Sequence, residues 1–182
     1  MEPARTKLAN DGAEQKIWKK PAFGMIKINT DAAWSKATHR AGLGWVARDF
    51  AGVLQGAGGS GSMSFHSASA AEAAAIRIAL EGCLFRGFGN VVIESDAKTI
   101  VQMIRKEITQ DFRLECILDD IEVLARRMQA VVFVFVPREC NKAAHLVAKY
   151  VGEKGRDFVW YCIGPEFLFN TLAQDINLPM RI

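Results

Sequence analysis

The chain has no CxxC pair, and none of its three histidines stands at zinc-ligand spacing from a cysteine, so a structural zinc site is not expected. Its four cysteines, Cys83, Cys116, Cys140 and Cys162, are scattered. They read as reduced thiols, mostly in the core, of an intracellular protein in a reducing compartment, with nothing to separate nucleus from cytoplasm. No stretch approaches the roughly 20 apolar residues of a membrane span, and residues 1–17 lack the apolar core of a secretory signal. Membrane insertion and secretion are therefore not expected. A strong charge of one sign is also missing: 23 Lys and Arg against 20 Asp and Glu leave +3, which permits a polyanionic partner without requiring one. Internal repeats and low-complexity tracts are absent too. What is present is a chain of 182 residues, half of them apolar, which fits one domain with a well-filled core. Chains near that size bury close to about 70% of their unfolded surface, so a metal, if there is one, is there for chemistry rather than for folding.

Residues 1–17 mix charges with small side chains and read as a flexible arm, residues 18–154 as the domain, and residues 155–182 as a tail. Over residues 24–31 the pattern alternates, with Ile26, Ile28 and Thr30 on one side and Lys27, Asn29 and Asp31 on the other, so a strand ending at an acid is expected. Residues 43–48 and 53–58 are two more β-like runs, joined across Gly52. Residues 67–85 are rich in Ala and Leu, and Ile76, Leu80, Cys83 and Leu84 form a helical stripe that should stop at Gly87 or Gly89. A strand at 91–93, helices at 97–106 and 114–128, a strand at 131–136 and a helix at 141–152 complete the order. The uninterrupted apolar run at 131–136 predicts a strand buried on both faces. The order β-β-β-α-β-α-α-β-α predicts an α/β fold, a three-strand antiparallel meander continued by two parallel strands. The tail carries Phe158, Trp160, Phe167, Phe169 and Leu172, too much apolar surface to leave solvated, so it should pack on the domain.

Three acids stand out. Asp31 and Asp96 close strands that, as parallel neighbours, would place their carboxylates about one strand spacing apart, roughly 5 Å. Ligands of α/β sheets collect outside such strand ends. Glu72 begins the stripe Glu72, Ile76, Leu80, Leu84 that faces the sheet. Two of the acids also have an ordinary reading. Glu72 completes a capping box with Ser69, and Asp96 is an N-cap for the helix that follows it. Asp31, followed by Ala32, Ala33 and Trp34, caps no evident helix.

Together with their surroundings these motifs resemble the ribonuclease H type 1 family, and in particular plant ribonuclease H-like domains related to non-LTR retrotransposons. The resemblance runs through Trp18-Lys19-Lys20-Pro21, Lys27-Ile28-Asn29-Thr30-Asp31-Ala32-Ala33 and Gly42-Leu43-Gly44-Trp45-Val46-Ala47-Arg48-Asp49 with Gly52. It continues through Ala71-Glu72-Ala73, Glu94-Ser95-Asp96, and Pro137-Arg138 with Asn141, Ala144, His145, Val147 and Ala148. It implies a ribonuclease H-like fold, a five-stranded mixed sheet flanked by helices. It also implies an endonuclease that hydrolyses the RNA strand of RNA/DNA hybrids by a two-metal mechanism. Asp31 would bridge two Mg2+ or Mn2+ ions, and Glu72 and Asp96 would complete the set.

The chain departs from the family in three places. His145 stands where many members have a fourth Asp; it would still be a catalytic residue and metal ligand, with a preference for Mn2+. Its ordinary reading is a helix residue bonded to Asn141. Ala32 replaces a common Gly after the first acid, and residues 137–140 are too short for the family's mobile histidine loop. Slow turnover or Mn2+ dependence is the implied consequence. A hybrid would be read through phosphates and 2′-hydroxyls, with Lys36, Arg40, Lys98, Arg138, Asn141 and Lys142 as candidate contacts. His39 and His66 receive no role, and Trp34 and Trp45 are assigned to the core. The competing functions are a nucleic-acid-binding module derived from a retrotransposon that has lost turnover, and a structural domain within a larger polyprotein.

Overall fold

The alternation read at the first strand is realised in β1 (Ile26–Trp34), which continues three residues past Asp31 instead of ending there. It is followed by β2 (Arg40–Arg48), β3 (Leu54–Ser64), α1 (Ala68–Phe85), β4 (Asn90–Ser95), α2 (Lys98–Ile104), α3 (Glu115–Arg126), β5 (Ala130–Phe135), α4 (Lys142–Lys154), β6 (Phe158–Trp160) and α5 (Phe169–Asp175). The structure, a computed structural model, describes residues 17–176. The expected arm at 1–17 therefore lies almost wholly outside the described residues.

The strands form one sheet in the order β5-β4-β1-β2-β3-β6. The expected antiparallel meander and two parallel strands are all there, with Lys27 opposite Arg48 in β1–β2 and Asn29 opposite Glu94 in β1–β4. The sixth strand comes from the tail: Phe158–Trp160 pairs antiparallel with β3, opposite Ala57 to Gly59. Three residues without a long alternating pattern leave no sequence signal of their own.

Successive side chains of a strand point to opposite faces. Trp45 and Ala47 accordingly pack with α1 and α3, together with Ile76, Leu80 and Ile121. Val46, between them, packs with Val147 and Val151 of α4 and with Leu168 of the tail. The helices thus form two layers around the sheet. Trp45 is buried, as assigned, and Trp34 is partly buried, its indole N–H donating to the Phe65 carbonyl at 3.0 Å. Helix α1 stops where expected: Gly87 has φ +71°, its N–H reaches the Leu84 carbonyl, and the Phe88 N–H reaches Cys83, a Schellman closure.

Two expectations fail on burial. β5 is an edge strand rather than one covered on both faces, and Val132 and Phe135 are exposed. β-branched residues favour a strand wherever it sits, so the run could not tell a central position from an edge. Of the cysteines, Cys83 and Cys140 are buried, but Cys116 and Cys162 are exposed. Burial pushes the Cys83 thiol up to about 12, which makes it inert. No described helix is long and apolar enough to cross a membrane.

Candidate metal and nucleic-acid site

Asp31 lies on the α4 side of β1, in line with Lys27 and Asn29. The parallel pairing of β1 with β4 ends at Thr30 opposite Ser95, so Asp31 and Asp96 are the next residues beyond it. β4 then turns sharply. Ser95 Oγ accepts the Ala97 N–H at 3.1 Å, and α2 begins with no side-chain cap, so Asp96 is not spent as the expected N-cap. Glu72 is likewise free of its capping role. The cap of α1 is Ser67, whose side chain accepts the Ala70 N–H, and Ser69 lies inside the helix.

The fold brings the three acids together. One carboxylate oxygen from each of Asp31, Glu72 and Asp96 lies within 4.8 Å of the others. Such proximity makes ionisation costly. The Glu72 carboxyl is raised from about 4.5 to about 9, first by burial and then by the charges of Asp31 and Asp96. Burial and the charge of Asp96 push Asp31 up to about 6, against the pull of its bond to His145. Glu72 Oε2 is buried and finds no hydrogen-bond partner among the described residues. An orphaned buried carboxylate oxygen beside two more carboxylates is what a hard divalent cation would satisfy.

His145 stands beside this group. Its Nδ1 lies 2.8 Å from Asp31 Oδ2, and its backbone N–H donates to the Asn141 carbonyl at 3.1 Å as an ordinary helix bond. What brings it there is the close seat of α4 on β2. Gly44 is opposite Asp31, and a Cβ built on it would lie 2.4 Å from the Ala148 nitrogen. Only glycine lets the helix approach so closely.

The basic candidates divide. Lys98 lines a cleft of about 220 Å3 with Glu72, Asp96, Ser69 and Thr99. Arg138 is near enough for its charge to pull the Glu72 carboxyl down. Arg40 lines a separate cleft of about 420 Å3 with Ser35, Thr38, Lys149 and Lys154, and Lys36 and Lys142 are exposed. Asn141 is a correction: it is buried and turned inward, donating to the Thr30 carbonyl at 2.8 Å and to Asp96 Oδ1 at 3.2 Å. It follows the 3-10 turn Arg138–Cys140, and its buried amide nitrogen bonds the sheet and Asp96 instead of standing exposed as a surface contact would.

Sequence reasoning missed a second layer. Arg48, fully buried, donates to Asn29 Oδ1 at 2.8 Å and pairs with Asp175 of α5 at 2.6 Å. Asn29 in turn donates to Glu94 at 2.9 Å, and Glu94 pairs with Lys27 at 2.6 Å. The available signal was the face that Lys27 and Asn29 share with Asp31, together with Glu94 two residues before Asp96.

A family model described as reverse transcriptase-like matches residues 29–151, a segment that spans the meander, all three acids and His145. The chain belongs to this reverse transcriptase-like family. An Arabidopsis thaliana protein with ribonuclease H in its name is 27% identical over 158 residues, covering 87% of this chain. That alignment spans only 25% of the Arabidopsis protein's length. Among solved structures, the ribonuclease H1 of the archaeon Halobacterium salinarum NRC-1 superposes with TM-score 0.67 at 20% identity, over 71% of this chain and 98% of that one. LC11 ribonuclease H1 in complex with an RNA/DNA hybrid does so with TM-score 0.64 at 23% identity, over 71% and 97%. A foamy viral protease-reverse transcriptase, also bound to a hybrid, gives 0.56 at 14%, over 85% of this chain and 22% of that one. This member of the reverse transcriptase-like family therefore has a ribonuclease H-like fold, a mixed sheet flanked by helices, with one strand more than the five expected.

Proposed function

We propose that this chain is a metal-dependent endonuclease domain that hydrolyses the RNA strand of RNA/DNA hybrids. The observation that carries the proposal is the convergence of Asp31, Glu72 and Asp96, whose ionised forms are compatible with one another only if a cation joins them. Mg2+ or Mn2+ is the fitting ion, because the donor set is all oxygen; Asp31, Glu72 and Asp96 would hold it, and the family resemblance suggests that Asp31 would be shared with a second ion. Bound there, the ions would supply an activated water and neutralise charge on the leaving oxygen. The rest falls to the chain itself. Asn141 would steady Asp96 and His145 would steady Asp31, with His145 proposed as a further metal ligand, and Lys98 and Arg138 are proposed as the inner phosphate contacts. Lys36, Arg40 and Lys142 are proposed as outer phosphate contacts, each contributing mainly salt-dependent affinity.

Two of the solved neighbours are complexes with RNA/DNA hybrid, which supports that substrate for this chain. The short share of the Arabidopsis and viral chains that is matched supports work as a module of a longer protein. The test is incubation of the purified chain with a labelled hybrid in Mg2+ and, separately, in Mn2+. Cleavage abolished by Asp96→Asn is expected. Salt-sensitive binding without products would instead favour a module that has lost turnover, and cleavage surviving Asp96→Asn would refute the site.

A further inference from the structure

Beneath the acids runs a chain of side chains that is costly to bury. From α5 to the start of the domain it passes Asp175, Arg48, Asn29, Glu94 and Lys27, and ends where Lys27 Nζ donates to the Lys19 carbonyl at 2.7 Å. Every link lies on the α4 side of the sheet, and four strands or helices contribute. Its two central members are neighbours in the β1–β4 pairing: Asn29 is opposite Glu94. Each stands two residues before an acid of the site, Asn29 before Asp31 and Glu94 before Asp96, so they occupy the same face about 7 Å away.

Buried charge of this kind is a poor way to stabilise a sheet. Four charged groups, two of each sign, pay desolvation that apolar side chains of similar volume would avoid, and such replacements are often neutral or stabilising. What a polar ladder bonded from end to end does provide is a defined geometry, even with Arg48 Nε left without a hydrogen-bond partner among the described residues. Arg48 is held on three sides, by Asp175, by Asn29 and by the face of Trp18, whose ring centre is 3.5 Å from the guanidinium carbon. Asn29 is held at both ends, and its amide also faces the Cys140 carbonyl at 3.5 Å, next to the Asn141 that fixes Asp96.

We propose that this ladder is a positioning device for Asp31 and Asp96, and that Asp175 makes the C-terminal helix α5 part of the site's support. The inference rests on the metal-site reading above. Without Asp175 the Arg48 cation would have no partner of opposite charge in direct contact among the described residues. Asn29 Oδ1 would then have to turn or shift, and the disturbance would pass along both strands to the acids.

The experiment compares wild type, Asp175→Asn and the apolar double variant Arg48→Met with Asp175→Leu. Three quantities are read: melting temperature, Mn2+ affinity by calorimetry, and the side-chain amide signals of Asn29 and Asn141 in metal-free nitrogen-15 spectra. For Asp175→Asn, displaced amide signals and roughly tenfold weaker Mn2+ binding are expected, with kcat on a hybrid falling while KM holds. The double variant is expected to recover the melting temperature but not the Mn2+ affinity. Recovery of both would show that the ladder only fills space, and unmoved amide signals in Asp175→Asn would overturn the inference directly. If wild type itself ignored Mn2+, the metal reading would fall, and the metal-free amide signals would still judge the ladder.

Discussion

Replacing Glu72 by glutamine removes an ionisation while keeping the shape, and its effect on stability follows from the sign of one pKa shift. The folded chain holds the Glu72 carboxyl at about 9, against about 4.5 when solvated. Between those values the unfolded chain gives up the proton and the folded chain keeps it, so stability falls as pH rises through the window. At 1.36 kcal/mol per pH unit, the loss from pH 4.5 to pH 7 is roughly 3 kcal/mol. For a chain of this length that is a drop in melting temperature of roughly 10 °C. Glu72→Gln has no such ionisation, and its amide can donate to the carboxylates of Asp31 and Asp96. Melting curves in metal-free buffer should therefore diverge, the variant gaining on wild type by about that amount from acid to neutral pH. Saturating Mn2+ should reverse the order, because the ion rewards the carboxylate and not the amide. Parallel pH curves for the two proteins would refute the reasoning, since they would mean that Glu72 is not buried among like charges.

The same shift predicts that Mn2+ binding at pH 7 releases about one proton, mainly from Glu72, which calorimetry in buffers of different ionisation enthalpy will count; no release would contradict it. His145→Asp removes the 2.8 Å bond to Asp31 and adds a fourth carboxylate, so the metal-free protein should melt lower and Mg2+ should raise its melting temperature, and its cleavage rate, more than in wild type. Equal Mg2+ responses would show that the missing acid is not what limits the site. Gly44→Ala drives a Cβ into the α4 backbone, and a loss of about 1–3 kcal/mol is expected by denaturant unfolding. A smaller loss would mean that α4 can withdraw without cost.

How much of this was legible in the sequence depended on the range of the interaction. Strand alternation and helical stripes are local, and they located the meander, α1, and the two parallel strands beside which Asp31 and Asp96 meet, though not the run of β1 past Asp31. They could not report what covers a strand, which is why β5 was expected in the interior and found at the edge. Glu72 and Asp96 each had a sound capping explanation that only the cap geometry could dismiss. Asn141 stands in the motif block that suggests nucleic-acid contacts, and only the fold shows that its amide turns inward to a strand carbonyl 111 residues away. The Arg48 to Asp175 pair closes over 127 residues, and no local period announces it.

The most direct measurement is diffraction at the manganese absorption edge from crystals of the wild-type chain soaked in Mn2+. Anomalous density enclosed by Asp31, Glu72 and Asp96, within coordination distance of their oxygens, is the expected result. An empty cleft at saturating Mn2+, or carboxylates turned toward separate surfaces, would contradict a metal-dependent nuclease site in this fold.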